Sequence, residues 1–309
     1  MFSTRQIDFL GIRNFSFIIS GTLLLISIVS LFAKGLNLGI DFTGGTLLEV
    51  HYPNSVELTQ MRTQLTEKGF VDASIQHFGS SEDVLIRLKP IENIEQKELG
   101  QKVLAIVNQS QTTQGDLRRV EFVGPQVGDE LMNDGGIAIL LSLLGVMIYV
   151  SARFEWKFSV GAVLALTHDV LITLGFFAFF GWEFDMTVLS ALLAIIGYSI
   201  NDTIVVYDRI RETLCGGRNG PIDAITNTAL NDTLSRTILT SLTVFLTVIA
   251  LLLLGGKTIH GFAVAMLIGV VVGTYSSIYI ASSLALALGL DRDDLLAPEK
   301  KSKFDDNMP

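Results

Sequence analysis

Six long apolar stretches limit what this chain of 309 residues can fold into. They cover residues 15–32, 135–150, 158–180, 186–206, 234–254 and 262–288. A helix needs roughly 20 apolar residues to cross the hydrocarbon core of a bilayer. The mean hydropathy of +0.50 and the charged fraction of 17% are ordinary for a membrane-spanning protein. The sequence therefore predicts six transmembrane helices, and we interpret the first as an uncleaved anchor because its apolar run is long for a signal peptide.

Lysine and arginine predict the orientation of these helices. Twelve of the 22 lie in segments on the same side as the N-terminus, whereas Lys257 alone lies in a short loop on the other side. The remaining nine fall in a long segment, and the positive-inside rule counts only charges in short loops. Both termini are therefore expected in the cytoplasm. The expected domains are residues 1–34 (N-terminus and first span), 35–134 (periplasmic domain with glycine-rich flanks), 135–290 (five spans with a cytoplasmic loop at 208–235) and 291–309 (cytoplasmic tail).

The cytoplasmic loop at 208–235 is polar, and its second half has apolar residues at helical spacing. This pattern predicts a short amphipathic helix, beginning near Pro221, that lies along the membrane surface before the fifth span.

The periplasmic segment has the pattern of an α+β domain. Strands are predicted at 46–52, 73–78, 84–88 and 117–123, helices at 56–68 and 91–109, and a hairpin loop at 79–83. The order β-α-β-β-α-β is typical of a ferredoxin-like fold. The expected fold class is thus six transmembrane α-helices plus one ferredoxin-like periplasmic domain. That fold has many unrelated uses, so it does not by itself indicate a function.

Glycine-rich motifs flank this domain on both sides. The first contains Gly39, Asp41, Gly44 and Gly45, and the second contains Gly124, Pro125 and Gly128. Glycine and proline mark places where the backbone needs unusual dihedral angles. Two interpretations stay open: the motifs are linkers to the membrane stalk, or they are hinges that let the domain swing.

Small residues recur at helical spacing within the spans. Gly269 and Gly273 belong to such a stripe in the sixth span, and Gly197 and Asn201 to one in the fourth. Small side chains let neighbouring helices approach closely in a membrane. These faces are expected to pack against each other or against another six-span subunit.

Ionisable residues inside the spans are the candidate functional residues. His168 and Asp169 are predicted near the centre of the third span, and Asp202 and Arg236 in the cytoplasmic third of the fourth and fifth. A charge at mid-bilayer costs about 2.5–3.5 kcal/mol on insertion scales, so it is retained where it has a partner, a water path or a function. One interpretation is a proton or sodium path through Asp202, with Arg236 setting its charge state. The other is a static polar network in which Arg236 extends toward the cytoplasmic interface.

Other classes of function are not favoured. The net charge of −9 gives no indication of nucleic-acid binding. The four scattered histidines and the single cysteine, Cys215, do not form a metal-binding pattern. No phosphate-binding loop or nucleophile motif is present, so we expect neither an enzyme nor a bound cofactor.

Several ordered motifs resemble the SecF family of protein-export membrane proteins. They are residues 39–46 (GIDFTGGT), 123–131 (VGPQVGDEL), 153–161 (RFEWKFSVG), 165–170 (ALTHDV), 196–212 (IGYSINDTIVVYDRIRE) and 233–242 (TLSRTILTSL). The resemblance runs from the first span to the sixth.

This resemblance implies an accessory subunit of the Sec translocase in the bacterial inner membrane. SecF is similar to half of a resistance-nodulation-division transporter, forms a heterodimer with SecD, and assists SecYEG, SecA and YajC late in export. The family uses the proton-motive force, with sodium replacing protons in some members, to promote movement of unfolded preprotein. Asp202 and Arg236 match its proton-path motifs, and His168 and Asp169 match its H-D motif.

Two alternatives remain beside this expectation. A scaffold would stabilise the translocon without using an ion gradient. Half of a small-molecule or lipid antiporter would share the buried charges, but it should carry a substrate pocket in a larger outer domain. The small size of residues 35–134 argues against the antiporter.

Overall fold

The computed structural model describes residues 6–90, 96–109, 111, 113–216 and 220–290. In chain order, the elements are α1 (Arg13–Lys34), β1 (Asn37–Leu38), α2 (Ile40–Thr43), β2 (Gly45–His51), α3 (Leu58–Glu67), β3 (Ser74–Phe78), β4 (Ser80–Leu88), α4 (Gln96–Gln109), β5 (Asp116–Val123), α5 (Pro125–Arg153), α6 (Trp156–Phe180), β6 (Glu183–Phe184), α7 (Met186–Cys215), α8 (Ile222–Leu254), α9 (His260–Tyr275), a π-helical segment (Ser276–Ala281) and α10 (Ser282–Ala287). The predicted C-terminal tail lies outside the described residues.

Six of these helices are long and apolar enough to cross a membrane, which confirms the number of spans predicted. The last span comprises α9, the π-helical segment and α10. The predicted second span was too short, because α5 begins at Pro125, directly after the outer domain. Proline is well suited to this first helical position, where the backbone N–H has no partner within the helix.

The end of α7 and the start of α8 correct a second prediction. The expected surface helix is not separate: it is the first part of α8, which runs unbroken for 33 residues. At 1.5 Å per residue α8 is about 50 Å long, so it extends well beyond a hydrocarbon core of about 30 Å. Hydropathy identifies only the part of a helix that lies in lipid, and the polar turns before it were therefore assigned to a loop.

The outer domain has the predicted order of strands and helices, from β2 to β5. Its four antiparallel strands lie in the order β3-β4-β2-β5. Helices α3 and α4 cover one face, where Leu48, Val50 and Ile86 are completely buried. The predicted start of the second helix, residues 91–95, lies outside the described residues. The hairpin is tighter than predicted, since β4 begins at Ser80 and Gly79 alone turns the chain, at φ +76°.

The glycines predicted to pack helices behave differently on the two spans. On α9, a Cβ at Gly269 would lie 2.3 Å from Ile195, and one at Gly273 would lie 3.1 Å from Ser199. Both glycines therefore allow α9 to approach α7 closely within this chain. Gly197 has nothing within 4 Å of its Cβ position, and Asn201 is exposed. The stripe on α7 thus faces outward and is not an internal packing surface.

The membrane helices are buried to very different extents. In the most apolar stretch of α6, 56% of the residues are buried. The corresponding share is 11% in α5 and in α8, and 22% in α1. Helices α6, α7 and α9 therefore form the interior of the bundle. The outer helices leave broad apolar faces for lipid or another protein.

Candidate functional site

Two neighbouring ionisable residues at the centre of α6 are enclosed by protein. His168 is 4% exposed and Asp169 is 0% exposed. Removing a carboxylate from water is costly unless protein groups replace its hydration. Three other helices supply the required partners, and each does so with hydroxyl groups.

Both carboxyl oxygens of Asp169 have hydrogen-bond partners. Its Oδ1 lies 2.9 Å from His168 Nδ1. Its Oδ2 accepts hydrogen bonds from the hydroxyls of Ser199, at 2.7 Å, and Ser276, at 2.8 Å. Ser276 is the first residue of the π-helical segment, and such segments are frequent at functional sites because they displace side chains from the regular helical register. All four groups are buried, so Asp169 is well satisfied.

The other side of the His168 ring connects to α1. His168 Nε2 lies 3.1 Å from the hydroxyl of Ser20, which in turn lies 3.1 Å from the hydroxyl of Tyr275. Tyr275 donates to the backbone carbonyl of Ser16 at 2.7 Å. A continuous hydrogen-bonded chain therefore runs from α1 through His168 to Asp169.

The contribution of α1 was missed by the sequence analysis. The buried residues of α1 are Ser16, Ser20, Ser27 and Ser30. They form a polar face on an otherwise apolar helix, and this spacing is the signal that could have identified it. Gly175 allows the close approach, since a Cβ there would lie 2.1 Å from the Ser27 hydroxyl.

Asp202 on α7 is 2% exposed and has weaker partners than Asp169. Thr240 and Ser241 on α8 lie 3.3 Å and 3.5 Å from its carboxylate oxygens. Both hydroxyls also have shorter bonds to backbone carbonyls of α8, at 2.9 Å and 2.7 Å. Since each hydroxyl has one proton to donate, an ionised Asp202 is short of dedicated hydrogen-bond donors.

Arg236 does not form the expected ion pair with Asp202. In the described part of the chain no ion pair joins Arg236 to a carboxylate, and its side chain is exposed. Arg236 nevertheless lies one turn before Thr240, whose hydroxyl contacts the Arg236 carbonyl at 3.1 Å. The depth of the two charges was predicted from hydropathy, but the sequence did not indicate which way each side chain points around its helix.

Polar groups of α7 and the π-helical segment lie near both carboxylates. Ser199, a partner of Asp169, lies three residues before Asp202 and therefore on the same side of α7. Thr203 and Ser277 share a hydrogen bond of 2.9 Å, and Ser277 also donates to the Ser199 carbonyl. We call the polar groups around the two carboxylates the network, although among the described residues no side-chain hydrogen bond joins the Asp202 carboxylate to the groups around Asp169. Among the described residues, no three His, Cys, Asp or Glu side chains are grouped as metal ligands.

The two glycine-rich motifs meet where the outer domain joins the membrane helices. Asp41 accepts a hydrogen bond from the first backbone N–H of α7, at Met186. Gly44 has φ +67°, and a Cβ there would lie 2.8 Å from Pro125. A Cβ at Gly128 would lie 2.8 Å from the Gly44 nitrogen. Gly45 has φ +125°, and a Cβ there would collide with the Leu88 carbonyl. Close backbone approach therefore explains Gly44, Gly45 and Gly128. Gly39 and Gly124 are instead extended N-caps of α2 and α5.

The outer domain also contacts two loops between the membrane helices. Arg87 pairs with Glu183 at 2.5 Å and donates to the Leu38 carbonyl. Lys257, between α8 and α9, pairs with Asp83 and lies 5.2 Å from the ring centre of Phe78. A cavity of about 490 Å³ separates the remaining sheet face from these loops.

Charge pairing affects the two acidic residues of these contacts differently. Burial alone would raise the pKa of Asp83, but hydrogen bonds from Lys257, Ser80 and His51 outweigh burial and hold the pKa well below its usual range. Burial raises the pKa of Glu183, and the nearby charge of Arg87 only partly offsets it. Asp83 is therefore ionised at neutral pH.

Comparison with known proteins gives matches over nearly the whole chain. Residues 102–291 match the family described as protein export membrane protein SecD/SecF, C-terminal, and residues 29–52 match the SecD/SecF GG motif. The protein translocase subunit SecF of Vibrio alginolyticus is 47% identical over 99% of this chain and 98% of its own length.

Two solved structures of SecDF have a similar fold. The translocon-associated SecDF of Thermus thermophilus is 38% identical, with a TM-score of 0.85, and matches 94% of this chain. A second SecDF structure, described as a super-membrane-facing form, is also 38% identical over 94% of this chain, but its TM-score is 0.69. The chain spans only about 40% of either SecDF chain. This multi-pass membrane protein belongs to the SecD/SecF family of protein-export membrane proteins.

Proposed function

We propose that this chain is the SecF-type subunit of a bacterial Sec translocase, which uses an ion gradient to promote late stages of preprotein export. The observation that carries the proposal is the near full-length match to a protein translocase subunit SecF. The two buried carboxylates support the gradient-dependent part, because intramembrane ionisable groups that are retained at such a cost commonly serve ion pathways.

The proposed partner is a SecD-type protein that supplies six further spans. The match to only part of each SecDF chain supports a heterodimer of this kind. The exposed faces of α5 and α8 offer apolar surface, and the outward stripe on α7 at Gly197 and Asn201 would let a partner helix approach closely. This complex would act with SecYEG, SecA and YajC.

The proposed location is the inner membrane, with both termini in the cytoplasm. The distribution of lysine and arginine supports this orientation. The domain from β2 to β5 would then lie in the periplasm. Its sheet order and chain order support assignment to the ferredoxin-like fold, and it would contact unfolded preprotein.

The proposed ion path centres on Asp202, with Asp169 and His168 deeper in the bundle. An ionised Asp202 is short of donors in this conformation, and binding a proton would remove that deficit. Arg236 would reach Asp202 in another conformation, where its charge would favour release of the proton. Loading and release would then be linked to movement of α8 relative to α7.

The test is gradient-dependent completion of preprotein export by membrane vesicles that carry Asp202→Asn. Asp208→Asn is the matched control, because Asp208 lies on the same helix but is exposed and paired with Arg153. Both variants are compared with wild type at equal abundance and equal recovery with SecD. Proton and sodium gradients are imposed separately to identify the ion.

We expect Asp202→Asn to abolish the stimulation of export by the gradient and Asp208→Asn to retain it. A buried amide has the same size as the carboxylate but cannot release a proton. Full stimulation with Asp202→Asn in an assembled complex would contradict the ion-path proposal and favour a scaffold that needs no gradient.

A further inference from the structure

The hydrogen-bonded chain from α1 to α6 limits where protons can lie. Tyr275 has one hydroxyl proton, and its shortest contact is with the Ser16 carbonyl, which can only accept. Tyr275 must therefore accept the proton of the Ser20 hydroxyl at 3.1 Å. Ser20 has no second proton, so it can only accept in its contact with His168.

It follows that Nε2 of His168 carries a proton and donates it to Ser20. The remaining ring nitrogen, Nδ1, lies 2.9 Å from Asp169 Oδ1. A neutral ring protonated at Nε2 would place a lone pair at Nδ1 against an ionised carboxylate oxygen, which is repulsive. A hydrogen bond at this position needs one additional proton.

We propose that His168 and Asp169 together hold one proton between Nδ1 and Oδ1, and that Ser20 and Tyr275 select this loaded state. The pair is then either an imidazolium beside a carboxylate or a neutral imidazole beside a carboxylic acid, and both have the same net charge. Oδ2 of Asp169 accepts from Ser199 and Ser276, so it has no place for the proton.

The surroundings of the pair contain few other groups that titrate. Tyr275 on α9 lies alongside the imidazole, with ring centres 6.4 Å apart. Asp202 lies about one turn along α7 from Ser199. Towards the pair, α1, α7 and the π-helical segment present the hydroxyls of Ser20, Ser199 and Ser276. On the α5 side, apolar residues such as Leu143 and Val146 pack against α6.

The site can be unloaded by a small rearrangement. If Tyr275 moves away from Ser20, the Ser20 hydroxyl can rotate and donate to Nε2. The Nε2 proton passes to a water molecule admitted by this movement, and the neutral ring keeps its other proton at Nδ1 and donates it to an ionised Asp169. A role of this proton in the export cycle rests on the proposed function. The presence of the proton is inferred from the hydrogen bonds alone.

The test is spectroscopic and needs no export activity. The full chain, with ¹⁵N-labelled histidine, is reconstituted with unlabelled SecD in lipid nanodiscs at neutral pH, and the ring nitrogens are measured by solid-state NMR. The chain has four histidines, and His168→Gln identifies the signal of His168. Infrared difference spectra against Asp169→Asn show whether the carboxyl group is protonated.

We expect either a doubly protonated ring with an ionised carboxylate, or a ring protonated at Nε2 with a protonated Asp169. A neutral ring beside an ionised carboxylate would overturn the proposal. If the spectra are as expected but Asp202→Asn keeps full gradient-dependent export, only the proposed function is contradicted.

A pair of tyrosine variants tests how the state is selected. Tyr275→Phe removes the hydroxyl that accepts from Ser20 and should shift His168 to the neutral form protonated at Nδ1, with loss of the additional proton. Tyr279→Phe is the control, since Tyr279 packs against Tyr275 but makes no hydrogen bond in this chain of groups. Identical spectra for Tyr275→Phe and wild type would show that Tyr275 does not select the state.

Discussion

At the scale of single residues, the two buried aspartates differ in how well protein groups satisfy them. Asp169 has two short hydroxyl contacts and an imidazole, and the Gly273 carbonyl that competes for Ser276 is more distant than Asp169. The hydroxyls near Asp202 lie closer to backbone carbonyls than to the carboxylate. Because both side chains are almost inaccessible, water does not compensate for this difference. Asp169 is therefore held in position by its partners. A new hydrogen-bond partner or a bound proton would stabilise Asp202 more than Asp169.

Ser199→Ala should destabilise the protein through Asp169. The change leaves Oδ2 with one hydroxyl donor, and loss of a partner by a buried charged group typically costs about 1–3 kcal/mol. We expect a lower midpoint of thermal unfolding in detergent, measured by intrinsic fluorescence. Ser190→Ala is the control on the same helix, because Ser190 is exposed and bonds only to the Met186 carbonyl. Equal midpoints for the two variants would show that Ser199 contributes nothing to Asp169.

The sequence identified the charged members of this network but not the hydroxyls that complete it. His168, Asp169 and Asp202 could be found because burying a charge in a membrane is rare and costly. Serine and threonine are common in membrane helices, so Ser20 and Ser276 carried no comparable signal. Their selection depends on helix rotation and on the π-helical segment, which a periodicity argument cannot supply.

At the scale of secondary-structure elements, the junction between the outer domain and α5 is closely packed. The start of α5 lies against α2, with Gly128 facing the backbone of Phe42 and Gly44. Glycine content predicted a linker or a hinge, and the contacts show that the motif also packs two backbones together. Whether the junction bends stays a prediction.

Gly128→Ala should destabilise this junction. Its Cβ would lie 2.8–3.1 Å from backbone atoms that cannot rotate away, and such overpacking costs about 1–3 kcal/mol. Gly136→Ala, also on α5, has open space and should be neutral or stabilising by up to about 1 kcal/mol. Limited proteolysis between β5 and α5 measures the difference. Equal cleavage rates in both variants would contradict close packing at Gly128.

Gly197→Leu tests the outward face of α7. Leucine has room within this chain, so the subunit itself should fold normally. It would prevent close approach by a helix of SecD, and we expect recovery of SecD by affinity purification to fall at least several-fold. Gly21→Leu on α1 is the matched control, since Gly21 also has nothing within 4 Å, is exposed, and lies on a helix outside the proposed SecD surface. Full recovery of SecD with Gly197→Leu would place the interface elsewhere.

At the scale of the whole molecule, the outer domain contacts loops that connect the helices of the candidate ion path. Glu183 precedes α7, which carries Asp202, and Lys257 connects α8 to α9, which supply hydroxyls to the network. The two SecDF structures match the same share of this chain at equal identity but differ in TM-score, 0.85 against 0.69. Within this chain, the contacts of Glu183 and Lys257 join the outer domain to the membrane helices. Movement of the helices would therefore reach the outer domain through these contacts.

Lys257→Ala tests whether this contact holds the outer domain in place. Removing the ammonium group deletes the pair with Asp83, while Ser80 and His51 still bond to Asp83 within the domain. The domain should therefore stay folded but spend less time against the loops. Docking is measured by a short thiol cross-linker between Gln76→Cys and Glu183→Cys, since these side chains meet at 3.4 Å, in a background where Cys215 is replaced by serine.

We expect the cross-linking yield to fall at least twofold with Lys257→Ala and to be unchanged with Lys89→Ala. Lys89 is the control because its partner, Asp72, belongs to the same domain and both side chains are exposed. The lowered pKa of Asp83 also sets the pH dependence of the contact. The stabilisation from ionised Asp83 is complete above the ordinary aspartate pKa, near 4, and is lost only as the pH falls further. The effect of Lys257→Ala should thus be the same at pH values of about 6 and 8, well above that range. Undiminished cross-linking with Lys257→Ala would show that the junction glycines and the bond from Arg87 to the Leu38 carbonyl keep the domain docked without this pair.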